Sequence, residues 1–129
     1  MIASLDHLVL TVRDLDATLA FYCDGLGMKK VTFGEGRIAV AYGSQKINLH
    51  HAGHEFDPKS ANPTPGSGDM CFILKVSLAA AQERLRAAGI EIEEGPVGRI
   101  GAAGPLRSLY VRDPDRNLVE LSVIDRTSV

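Results

Sequence analysis

Residues 5–27, LDHLVLTVRDLDATLAFYCDGLG, lead an apolar strand directly into a helix. Leu5 to Val12 is rich in aliphatic and β-branched residues, and side chains alternate across a strand. His7, Val9 and Thr11 therefore share one face, and Leu8, Leu10 and Val12 the other. Asp14 then offers an N-cap, Leu15, Leu19, Tyr22 and Leu26 recur at helical spacing, and Gly27 stands where a helix would stop. Three short strands follow, at 28–33, 37–43 and 45–51, with Gly34, Gly36, Gly43 and Ser44 in the turns.

Residues 52–68 carry three of the six prolines and few hydrophobic residues, which reads as a linker. Beyond it the pattern restarts. The spacing predicts a strand over 69–76, a helix over 77–89 between Ser77 and Gly89, and a strand over 90–95. A glycine-rich loop over 95–105 leads to strands at 106–113 and 117–125, joined by the turn DPDRN. His7 to Gly27 and Asp69 to Gly89 are both 20 residues, so the chain reads as a tandem duplication. The expected architecture is α+β: one domain over 1–129, with βαβββ modules at 1–51 and 69–125. One module has too little core to stand alone. Two together form a curved mixed sheet around a cleft, a natural ligand site.

The composition narrows the function. Hydrophobic residues at 45% and charged residues at 23% give a globular balance. A net charge of −2 with no basic stripe argues against a nucleic-acid partner. No long apolar run and no basic leader are present, so a cytoplasmic location and no membrane partner are expected. Cys23 and Cys71 form no CxxC pair and read as reduced thiols.

Three polar residues interrupt apolar strands. His7 needs a partner, because a buried polar group without one costs roughly 1–3 kcal/mol; a satisfied core histidine and a metal ligand both meet that need. Glu120, in NLVELSV, is a carboxylate in an apolar run, held by a cation or hydrogen bonds, or else turned to water from an edge strand. His50 closes KINLH on the same face as Asn48, either as a ligand or as an exposed strand-end histidine. Together His7, His50 and Glu120 make a two-histidine, one-carboxylate set that leaves positions open for water, substrate or oxygen. Fe, Mn, Ni and Zn all suit it. Asp69 occupies the repeat position of His7 and reads as a fourth ligand, an acceptor for a ligand histidine, or a plain strand-start acid. In the glycine-rich loop, Arg99 is a candidate for binding a substrate carboxylate or phosphate. Ser108 and Tyr110 share a strand face and are candidates for orienting a substrate oxygen, or structural; Asn48 is a further candidate for binding substrate.

The opening stretch LDHLVLTVRDLDATLAFYCDGLGM and the closing YVRDPDRNLVELSV resemble the vicinal oxygen chelate superfamily, which includes glyoxalase I, bleomycin-resistance proteins, fosfomycin-resistance enzymes and extradiol dioxygenases. QKINLHHAGHEFDPKSANPTPGSGDMCFI and EEGPVGRIGAAGP resemble the subgroup of glyoxalase domain-containing protein 5. The resemblance implies paired βαβββ modules and a divalent metal that chelates substrate oxygens. It places His7 and Glu120 on ligand positions. Glyoxalase I enzymes commonly carry Glu on the fourth strand where this chain has Asn48, and His50, two residues on, is taken as the substitute. The fifth strand often begins with His, and here Asp69 stands there.

The expected function is metal-dependent isomerase- or lyase-like chemistry on a small oxygen-bearing molecule, with Glu120 as a proton carrier. The alternatives are an Fe(II) extradiol-type dioxygenase and a bleomycin-resistance-like binding protein that needs no metal. A homodimer is expected, with ligands from one chain or both.

Overall fold

Each half of the chain folds into a four-stranded mixed sheet with a helix after its first strand. The computed structural model describes residues 1–126. The elements run β1 (His7–Val12), α1 (Leu15–Leu19), a π-helical turn (Ala20–Gly25), β2 (Lys29–Phe33), β3 (Arg37–Tyr42), β4 (Gln45–His51), β5 (Asp69–Ile73), α2 (Leu78–Ala87), β6 (Glu94–Gly101), β7 (Gly104–Arg112) and β8 (Leu118–Ile124). The first sheet has the order β1-β4-β3-β2 and the second β5-β8-β7-β6. In both, the first strand pairs parallel to the last and the other pairings are antiparallel. The α+β duplication read from the spacing is thus reproduced in the topology of both sheets.

Two units emerge: Met1–Gly68 with Pro114–Arg116, and Asp69–Asp113 with the chain from Asn117. The expected linker 52–68 belongs to the first unit. The DPDRN turn is divided: Pro114–Arg116 belong to the first unit, where the buried Asp115 carboxylate accepts from the Arg13 backbone N–H at 3.2 Å.

Local chemistry explains most boundaries. The Asp14 carboxylate accepts from Ala17 N–H at 3.1 Å and the Ser77 hydroxyl from Ala80 N–H at 3.1 Å, so both helices begin at a side-chain cap. The first helix is not α-helical throughout. Beyond Leu19 it widens into the π-helical turn, in which Phe21, Tyr22 and Gly25 are all buried.

Alternation sets the core. In the first unit Leu10, Val12, Val40, Ile47 and Leu49 are buried on one sheet face. In the second, Leu109, Val111, Val119 and Leu121 do the same, with Ala81 and Leu85 buried on α2. At roughly 25 cal/mol per Å² of apolar surface, each buried Leu, Ile or Val side chain contributes about 1.5–3 kcal/mol. The opposite face of each sheet carries the polar residues singled out above.

One expectation fails clearly. The glycine-rich stretch 95–105 is not a loop: it forms most of β6 and the start of β7, while 90–93 lies outside any strand. β6 is an edge strand with a register irregularity between Glu94 and Val97, and such a strand tolerates the Pro96 and glycines that hid it. Among the described residues, no helix is long and apolar enough to cross a membrane.

Candidate functional site

In the second unit, Glu120 is the centre of a hydrogen-bonded row. β8 places Leu118, Glu120 and Ser122 on the polar face, and register brings Cys71 of β5 and Tyr110 of β7 beside Glu120. The Ser108 hydroxyl donates to Glu120 Oε2 at 2.6 Å, and the Ser122 hydroxyl approaches the same oxygen at 3.3 Å. Ser108 and Ser122 lie 2.7 Å apart, and the Cys71 thiol lies 3.3 Å from the Ser122 hydroxyl. Both serines are fully buried. One carboxylate oxygen is therefore fixed by the protein, which orients Oε1. Of the two roles open to Ser108 from the sequence, its hydrogen bond to Glu120 is a supporting one.

Tyr110 and Arg99 extend this row. Arg99 Nε–H donates to the Tyr110 hydroxyl at 2.9 Å, and its guanidinium pairs with Glu94 at 3.3 Å. Arg99 thus projects from strand β6 and not from a loop. Burial pushes the Tyr110 phenol up, the Arg99 guanidinium pulls it back, and the Glu120 charge adds to the rise. Burial likewise raises the Cys71 thiol, which keeps it protonated. Asp69 heads β5 in register with Leu118, on the same face as Glu120.

The first unit presents a matching face. His7, Val9 and Thr11 project with Lys46, Asn48 and His50. His7 is exposed and not buried as the apolar run suggested, because β1 is an edge strand and His7 stands at its head; its Nδ1 bonds to the Asp6 carboxylate at 2.8 Å, which leaves Nε2 as the acceptor. Asn48 is 6% exposed and His50 4%, yet Asn48 Oδ1 and His50 Nε2 have no hydrogen-bond partner. Two buried polar atoms without partners on one face mark a place for something else to bind. Burial, with the Arg37 charge, holds the His50 imidazole below its ordinary range, against the opposing pull of Glu55.

Register revises the role of His50. His7 pairs with Lys46 and His50 with Thr11, a separation of four positions along parallel strands. At ~3.3 Å per residue that is about 13 Å, too far for two imidazoles standing off one sheet to meet on one ion with bonds of roughly 2.0–2.1 Å. Asn48 lies only two positions beyond Lys46, and Glu120 lies two positions beyond Leu118, the partner of Asp69. By duplication, then, Asn48 is the counterpart of Glu120, and the counterpart of His50 is Ser122. Among the described residues, no three His, Cys, Asp or Glu side chains gather in a group able to hold a metal ion.

Residues 4–121 match the Glyoxalase/Bleomycin resistance protein/Dioxygenase superfamily. The chain belongs to this superfamily. It is 57% identical to the glyoxalase domain-containing protein RDO1 of Mycosarcoma maydis, over 94% of this chain and 68% of that protein. The crystal structure of virulence protein STM3117 of Salmonella typhimurium superposes with a TM-score of 0.95 at 49% identity, covering 97% of this chain and 99% of that one. The ethylmalonyl-CoA/methylmalonyl-CoA epimerase of Cereibacter sphaeroides is 30% identical over 96% of this chain and 100% of that protein.

Sequence reasoning missed Ser122 and Cys71 as neighbours of the carboxylate, although their alternation with Glu120 and Asp69 was visible. It also missed Asp6, Arg37 and Phe56. Arg37 and Phe56 gave no signal, because their meeting depends on how residues 52–56 fold back over β3.

Proposed function

We propose that this chain is a divalent-metal-dependent enzyme acting on a small oxygen-bearing organic molecule. His7 Nε2, Glu120 Oε1 and the Asp69 carboxylate would hold the ion, with Asn48 Oδ1 as a neutral fourth donor; since no such group gathers among the described residues of one chain, the donors would come together from two copies of it. The observation that carries the reading is the oriented Glu120 carboxylate, with one oxygen bound by Ser108 and Ser122. The donor set fits a divalent cation: an imidazole whose other nitrogen is bonded to a carboxylate, two carboxylates, and a buried amide oxygen without a partner. It is richer in oxygen than the two-histidine set expected from sequence, which favours harder ions such as manganese.

Bound there, the ion would supply Lewis acidity to a substrate carbonyl or enediolate oxygen. The chain's own residues do the rest. Ser108 and Ser122 fix the carboxylate. Glu120 accepts or returns a proton at the carbon next to the polarised oxygen. Tyr110, anchored by Arg99 and hydrogen-bonded to Glu120, would turn its hydroxyl from that carboxylate to a substrate oxygen as charge develops. Isomerase or lyase chemistry follows, and the epimerase among the relatives is in keeping with it. We also infer a homodimer: β1 and β5 are sheet edges in their units, and Val9 and Ile73 stand exposed on them.

A second reading, a small-molecule binding protein without a metal, draws support from the neutral Asn48 at a ligand position. Elemental analysis of protein purified without added metal separates the two. The enzyme reading predicts a bound divalent ion in the wild type and its loss in His7→Ala and Glu120→Ala. An empty wild type, or full metal content in both variants, contradicts it.

A further inference from the structure

The polar face of the first unit continues past Asn48 into a group that the metal reading does not use. Arg37 alternates with Ala39, the register partner of Asn48, and so shares the face of Asn48 and His50. Its guanidinium lies 4.6 Å from the centre of the Phe56 ring and 5.4 Å from that of Phe33. Phe56 also meets the His50 ring edge-on at 5.5 Å. The Lys46 ammonium lies 3.6 Å above Phe33. Among the described residues, no carboxylate stands within ion-pair distance of Arg37 or Lys46. Lys59 is different: it is paired with Glu55 at 3.5 Å.

We propose that Arg37 and His50 bind the carboxylate of an acidic substrate whose apolar body lies against Phe33 and Phe56. Three observations converge on this. A guanidinium without an acid presents a planar fork that matches a carboxylate. His50 Nε2 is buried with no partner, so a ligand oxygen would complete it. The two aromatic rings and the buried Ala39 offer an apolar surface between the charged ends. One guanidinium fork and one imidazole N–H match the two oxygens of a carboxylate better than the three of a phosphoryl group. The inference rests on the proposed function only for the reacting end of the substrate. His50 lies two positions beyond Asn48, so the carboxylate sits roughly 7 Å along the sheet from the proposed metal donors. That spacing fits a compact organic acid with its chelating oxygens several bonds from its charge.

Calorimetric titration of the full-length protein with benzoate, benzamide and phenyl phosphate tests this, together with Arg37→Gln and His50→Gln. Metal content is measured on the same samples. Saturable benzoate binding is expected, with benzamide and phenyl phosphate each at least about ten-fold weaker. Both variants should lose at least about ten-fold in benzoate affinity while keeping wild-type metal content. Equal binding of benzoate and benzamide, tighter binding of phenyl phosphate, or benzoate affinity unchanged in both variants would overturn the inference. Should Arg37→Gln not fold, Arg37→Lys serves in its place: it keeps the charge without the fork and should bind benzoate more weakly than wild type. A metal-free wild type that still binds benzoate through Arg37 would remove the metal reading and leave this one standing.

Discussion

Asn48 holds in the first sheet the place that Glu120 holds in the second. Each lies two positions beyond the residue that pairs with the head of its parallel neighbour strand, Lys46 with His7 and Leu118 with Asp69. The duplicated halves therefore present two pairs of equivalent positions, filled unequally: His7 against Asp69 and Asn48 against Glu120. An amide in place of a carboxylate removes one negative charge from any ion bound there.

The first prediction restores that charge. Asn48→Glu should tighten divalent metal binding by about ten-fold or more, since a carboxylate is a far stronger ligand for a hard cation than an amide oxygen. His50→Ala should leave metal affinity near wild type. Competitive titration with a metal-sensitive dye reads both, and a weaker Asn48→Glu site would count against the assignment.

Ser108→Ala removes the 2.6 Å donor to Glu120 and one partner of Ser122 from a fully buried position. A destabilisation of about 1–3 kcal/mol is expected by chemical denaturation. Metal affinity should fall as well, because Glu120 is no longer oriented.

Gly95 has φ +109, and a Cβ built on it would stand 2.4 Å from the Ser108 carbonyl oxygen. Gly95→Ala should therefore push β6 from β7 and disturb Ser108 itself. A loss of roughly 1–3 kcal/mol from the strained backbone alone is expected, with a lower Tm. A Tm equal to wild type would show that β6 does not pair as described.

His50 gives a pH signature. Burial holds its folded-state pKa below the unfolded value of 6.5, so the unfolded chain takes up the proton first as pH falls. Its contribution to stability is present above pH 6.5 and is lost as pH drops through the lowered folded value. Urea midpoints measured between pH 7.5 and 5 should fall less in His50→Gln than in wild type. Parallel curves would show that His50 titrates as if exposed.

Much of this fold is legible in the sequence, because it rests on local signals. Caps at Asp14 and Ser77, glycine stops and period-two alternation name the elements, and the repeated 20-residue spacing names the duplication. β6 was not legible, since an edge strand rich in glycine and proline has no composition that sets it apart from a loop. At the site, alternation correctly put Asn48 with His50. It carries no information on register between strands, and register is what separates His50 from His7. The role of Ser108 depends on a pairing between β7 and β8 that only the folded chain reveals.

The central claim is that one imidazole and several oxygens, not two imidazoles, surround the ion. X-ray absorption spectroscopy of the metal-loaded protein reads this directly. The account predicts a first shell of oxygen with a single histidine contribution, lost in His7→Ala and retained in His50→Ala. Two histidines in the shell, or a spectrum unchanged by His7→Ala, would contradict it.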